Sequence, residues 1–173
     1  MKSLFTLTFV ICLTLQASAQ SAAFKQNTQW LENKLNTLVI DDDDKKLEVN
    51  GKKSHPTFKF NACQMLMLIQ ANDDKFSMNM NISWLLKDVT KVSYKKGDDG
   101  NYAIVLNVPP DRMKVDMGFG NDNSVSGSFN LGDDKKAKDK NDNQNSFSLA
   151  TKDEKLIQEM VKRFESCIAE CKK

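Results

Sequence analysis

Apolar residues recur along this chain at two spacings, every third or fourth residue near the ends and every second residue between them. The first spacing predicts helices and the second half-buried strands. Phe24, Leu31, Leu35 and Leu38 lie at helical spacing among Gln29, Glu32, Asn33 and Lys34, with Asn27 or Thr28 as the expected cap. Asp41 to Asp44, followed by Lys45 and Lys46, ends this helix, because repeated like charges favour an exposed turn. Phe58 and Phe60 then alternate around Lys59, and the phase shifts so that Cys63, Met65, Met67 and Ile69 take over. Such a shift predicts a bulge or sharp bend near Ala62. Phe76, Met78, Met80, Ile82 and Trp84 form the clearest period-two segment.

Val92 and Tyr94, the turn Gly97-Asp98-Asp99-Gly100, and Tyr102, Ile104, Leu106 and Val108 read as a hairpin stopped by Pro109-Pro110. Met113, Val115, Met117 and Phe119 alternate next, followed by Val125, Phe129 and Leu131, and Phe147 and Leu149 make a last strand. Residues 132–144 are almost wholly Asp, Lys, Asn, Gly and Gln and read as a mobile polar loop. Thr151-Lys152-Asp153-Glu154 has the form of a capping box. Behind it, Ile157, Met160, Val161, Phe164, Cys167, Ile168 and Cys171 make one apolar helical stripe. That stripe has to cover something apolar, and the open end of a sheet or barrel is the expected surface.

The first residues change how the rest is read. Lys2, an apolar run from Leu4 to Leu15 and Gln16-Ala17-Ser18-Ala19 have the three parts of a secretory signal peptide, with cleavage expected near Ala19. The run is short of the roughly 20 apolar residues a membrane span needs. The expected organisation is a signal peptide at 1–19 and one globular domain at 20–173, secreted or periplasmic. Removing the leader removes Cys12 and leaves Cys63, Cys167 and Cys171 in a compartment that permits disulfides. Cys167 and Cys171 share a helix face at a separation too wide for an unstrained bridge, so Cys63 is expected to pair with one of them. A three-cysteine metal site is the weaker reading, since no CxxC pair is present.

With 173 residues and a formal charge of +2, the chain is sized for one domain and lacks the basic excess of a nucleic-acid binder. One histidine, His55, removes most histidine-dependent catalysis. No nucleophile elbow, zinc-protease helix, phosphate loop or dinucleotide fingerprint occurs.

The order of elements, six or seven antiparallel strands and then an amphipathic helix, resembles the pleckstrin-homology-like barrel. More narrowly, Phe58-Lys59-Phe60-Asn61-Ala62-Cys63, the stretch from Ile82 to Val92 and the helix from Glu154 to Cys171 resemble small exported proteins of Bacteroidetes-type bacteria without an assigned function. The resemblance implies an α+β fold, an antiparallel PH-like barrel or sandwich with N-terminal and C-terminal helices. It also maps the recurring cysteine pair onto Cys63 and Cys171, with Cys167 as the alternative partner.

Candidate chemistry is sparse. Met65 and Met67 share one strand face, as do Met78 and Met80, and paired thioethers suit Cu(I), with His55 or Trp84 nearby. Methionine at buried alternate positions also serves as core filler, which is the favoured reading. Asp41 to Asp44 lack the loop that would converge them on Ca²⁺. The expected function is therefore a non-enzymatic, exported binding domain without a cofactor, recognising a protein, peptide or cell-envelope component along a sheet edge or loop. The alternatives are a carrier, with a lipophile in the barrel or Cu(I) on the methionine pairs, and an enzyme using a carboxylate pair.

Overall fold

A computed structural model describes residues 21–39, 48–49, 52–53, 55–72, 77–119, 125–130 and 144–173. The expected leader at 1–19, the turn expected at Asp41 to Asp44 and the polar stretch 132–143 lie outside these residues; Gln144, placed with the loop by composition, begins a strand. In chain order the elements are α1 (Ala22–Leu38), β1 (Glu48–Val49), β2 (Lys52–Lys53), β3 (Thr57–Asn61), β4 (Gln64–Asn72) and β5 (Ser77–Leu85). They continue with β6 (Lys91–Lys96), β7 (Tyr102–Asn107), β8 (Lys114–Phe119), β9 (Val125–Asn130), β10 (Gln144–Leu149) and α2 (Glu154–Cys171). All pairing among the described strands is antiparallel. One sheet runs β3-β4-β5-β8-β9, a second runs β10-β7-β6, and β1-β2 form a short ribbon.

Local chemistry explains the boundaries, with two corrections to the expected helix caps. The cap of α1 is Ser21, whose hydroxyl accepts from the Phe24 N–H at 3.0 Å; Asn27 and Thr28 lie inside the helix. Asp153, rather than a Thr151–Glu154 box, caps α2 by accepting from the Lys155 and Leu156 N–H groups. Phenol groups from the neighbouring sheet occupy the Glu154 carboxylate instead. The sharp bend that the phase shift allowed near Ala62 is present as a chain reversal: Asn61 pairs with Gln64, and Ala62 and Cys63 form the turn, with Ala62 at a φ of 51°.

The two sheets face each other across aromatic rings. Trp84 of β5 stacks on Phe147 of β10 at 6.4 Å between centroids, and Phe58 of β3 meets the same ring edge-on at 5.0 Å. Helix α2 lays Ile157, Met160, Phe164 and Cys167 into this core, each fully buried, and packs on α1, β6 and β7. The stripe expected of this helix is therefore present, and it rests on a helix as well as on sheet.

Among the described residues the sheets do not close into a barrel. Helix α1 stands where closure would occur, bonding to the outer edge of each sheet. Its Asn36 side chain donates to the Phe58 C=O at 3.0 Å and accepts from the Phe58 N–H at 2.6 Å. Glu32 accepts from the Phe60 N–H at 3.1 Å. At the end of the helix, Val39 bridges to Leu149 and the Leu38 C=O accepts from the Ala150 N–H. Backbone groups that would have paired strand to strand are thus satisfied by a helix. The architecture is α+β, with two open antiparallel sheets.

Candidate functional site

The register unites the methionines that the sequence grouped in pairs. Met65 lies opposite Trp84, Met67 opposite Ile82, Ile69 opposite Met80, and Met80 in turn opposite Met117 of β8. Met65, Met67, Met78, Met80 and Met117 therefore share one face of the five-stranded sheet. They differ in burial: Met65 is 0% exposed and Met78 7%, whereas Met67, Met80 and Met117 are half-buried. Met117 was visible in the sequence only as one more alternating residue, because its neighbours depend on which strand pairs with which.

His55 is elsewhere. With Thr57, Lys59, Leu68 and Gln70 it lines a groove of about 280 Å³. Side chains alternate across a strand, so Thr57 and Lys59 face away from Phe58 and Phe60, and Leu68 and Gln70 away from Met67 and Ile69. The sheet itself separates His55 from the methionine face. Trp84, 2% exposed, belongs to the core.

The cysteines among the described residues resolve into one bond and one thiol. Cys63 in the β3–β4 turn bonds to Cys171 at the end of α2, with S–S 2.10 Å and Cα–Cα 5.7 Å. Cys167 is free and fully buried, and burial pushes its thiol up to about 11, helped by the negative charge of Glu170. At the other end of α2, the Tyr94 and Tyr102 hydroxyls donate to the two oxygens of Glu154 at 3.0 and 3.1 Å. Desolvation first, and this carboxylate second, raise the Tyr102 phenol above its ordinary value. These contacts fasten α2 to the three-stranded sheet beside its edge strand, β6.

Edges decide what the sheets can still bind. Helix α1 occupies the β3 edge and meets the end of β10, as described above. At β6 the backbone directions follow from two bonds that fit the strand register. Gly97 N–H donates to the Asn101 C=O, toward β7, while Tyr102 N–H turns away from β6 to the Thr151 C=O. Direction alternates along a strand, so Lys91, Ser93 and Lys95 bond to β7 while Val92, Tyr94 and Lys96 point their N–H and C=O groups outward. No described strand pairs with that edge. Lys91, Lys95 and Lys96 of this strand are all exposed, as is Lys87 in the turn before it.

Among the described residues no three His, Cys, Asp or Glu side chains converge on a metal position, and no helix is long and apolar enough to cross a membrane. No family model matches the chain, and neither a curated protein nor a solved structure matches it.

Proposed function

We propose that this chain is an exported, non-enzymatic interaction domain that receives an extended acidic segment of a partner protein as an added strand on β6. The observation that carries this reading is the outward row of backbone groups at Val92, Tyr94 and Lys96, bordered by exposed lysines. An added strand gains main-chain hydrogen bonds, and the side chains beside it set specificity. Lys91 and Lys95 stand on one face, so the incoming strand would present carboxylates there. Val92 and Tyr94, half-buried on the other face, favour apolar residues between them. A second copy is the wrong partner, because pairing β6 with itself sets lysine against lysine.

The Cys63–Cys171 bond supports export, since such bonds persist in oxidising compartments. In this reading residues 1–19 are the signal peptide. The PH-like likeness then lies in two antiparallel sheets followed by a C-terminal helix, without closure of the barrel.

The test is hydrogen exchange followed by NMR with a six-residue peptide alternating glutamate and valine, matched to the length of Lys91–Lys96. Added peptide should slow exchange at the Val92, Tyr94 and Lys96 amides, and a lysine–valine peptide should not. The variant Lys91→Glu/Lys95→Glu should reverse that preference. Protection at another strand, or a preference indifferent to the reversal, overturns the proposal.

A further inference from the structure

Helix α2 packs on β6, the strand whose outer edge no described strand pairs. We infer that Val161 and Glu165 of α2 form a second wall beside that edge, one that fixes which face of an incoming strand is apolar and which is acidic; this rests on β6 being the binding edge, and it names helix residues that set the specificity there.

Helix geometry places both residues. The eighteen residues of α2 make about five turns, so Glu154, its first residue, and Lys172, its C-cap, lie on one line along it. Both ends of that line touch the β6 side. The Tyr94 hydroxyl donates to Glu154 at 3.0 Å, and Lys172 Nζ donates to the Val89 C=O at 3.4 Å. Gln158, close to the line, donates to the Tyr94 hydroxyl at 3.4 Å. At about 100° per residue, Val161 and Glu165 fall within about 20° of the line, one on either side.

The other faces of α2 are occupied. Ile157, Met160, Phe164 and Cys167 lie about a quarter-turn from that line and fill the core. Arg163, Ser166 and Glu170 lie on the opposite flank and bond to α1. Arg163 donates to Asn27 Oδ1 at 2.8 Å, Ser166 accepts from the Asn27 amide at 3.3 Å, and Glu170 accepts from the Ser21 N–H and hydroxyl at 2.9 and 2.7 Å. With the core beneath it and α1 on one flank, α2 turns its remaining flank over the side of the sheet that ends in β6.

Position along the helix matches position along the strand. β6 runs opposite to α2, with Val89 at Lys172 and Tyr94 at Glu154, so Val161 comes level with Val92 and Glu165 with Lys91. Tyr94 reaches α2, and by alternation Val92 shares its face while Lys91, Ser93 and Lys95 take the other. Val92, Tyr94 and Val161 are half-buried at the border of the core, and Glu165 is exposed. A strand added to β6 therefore lays alternate side chains against Val92 and Val161, where apolar groups lose water and the Glu165 carboxylate repels acids. Its remaining side chains stand beside Lys91 and Lys95, where acids are favoured. A slip of one residue exchanges the two faces, so the wall fixes register as well as composition.

Two six-residue peptides test the wall on the full chain, one alternating glutamate and valine and one of glutamate alone. Each is titrated while exchange at the Val92, Tyr94 and Lys96 amides is followed by NMR. The unaltered protein should bind the alternating peptide about tenfold more tightly than the glutamate peptide. Val161→Ser should weaken the alternating peptide about five- to tenfold. Glu165→Lys should strengthen the glutamate peptide about threefold. The β6 amides should stay protected by the alternating peptide in both variants. Glu165 is exposed, so its variant reads the wall even if serine at position 161 loosens the helix. An unchanged affinity in either variant, with β6 still protected, overturns this inference and leaves β6 as the binding edge. Absence of protection at β6 with either peptide overturns both.

Discussion

Replacing Cys63 and Cys171 together by alanine removes the one covalent link between the β3–β4 turn and the end of α2. The bond joins residues 108 apart, and closing a loop of that size in the unfolded chain costs about 16 cal/mol/K of entropy, or about 4.8 kcal/mol at 25 °C. Both cysteines are half-buried at the edge of the core, so their truncation leaves no large cavity and adds little to that figure. Residual compactness of the reduced unfolded chain lowers it, and the expected loss is about 3–5 kcal/mol. Against a total stability of about 5–15 kcal/mol for a domain of this kind, that is a large fraction. Urea unfolding at 25 °C reads it directly: with a slope of about 2 kcal/mol/M, the midpoint falls by about 2 M. Cys171→Ala alone should behave like the double variant, because Cys167 faces the core one turn earlier. A loss below about 1 kcal/mol would refute the loop argument. So would a Cys63–Cys167 bond that restores the midpoint in the single variant.

Cys167 should resist alkylation in the native protein at pH 8 and react once urea exposes it, as mass spectrometry of the trapped thiol would show; rapid native labelling contradicts its burial. Its thiol is raised from 9.0 to about 11, so the folded state keeps a proton that the unfolded state loses first. Stability should therefore fall as pH rises from 9 toward 11, and Cys167→Ala should remove that part of the decline. Asn36→Ala leaves the Phe58 N–H and C=O without their helix partner and should cost about 1–2 kcal/mol, with faster exchange at the Phe58 amide; unchanged exchange would mean that Asn36 does not seal the edge. Ala62 sits at a φ of 51°, where glycine has no Cβ penalty, so Ala62→Gly should raise the thermal midpoint, by about 0.5–1 kcal/mol in stability terms. A lowered midpoint would show that the turn gains nothing from that freedom.

Local interactions are legible in a linear chain, and the elements built from them were read directly. The stripe from Ile157 to Cys171 is a helix because its spacing matches 3.6 residues per turn, and the Gly97–Gly100 turn joins β6 to β7 as its residues require. The expected helix caps differ from the observed ones by six or seven residues at α1 and by two at α2. Ser21, Asn27 and Thr28 are all competent caps, and packing of α1 on α2 decides where the helix begins. The phase shift at Ala62 fits either a bulge or a sharp bend, because both displace the pattern of apolar positions, and strand pairing shows the bend, a two-residue reversal.

What the sequence determined by itself is the two helices, the main strands and the face each one buries, and the restriction of the disulfide to Cys63 with a cysteine of the last helix, whereas the short ribbon of β1 and β2 went unread. Tertiary structure alone decided the rest, because each remaining question concerns residues far apart in the chain. Asn36 had to find Phe58 before the sheets were kept from closing, and β8 had to pair with β5 before Met117 joined Met80. The open edge at β6 is the same kind of fact: alternation marks a strand, but only the completed sheet order shows which of its backbone groups remain to be met.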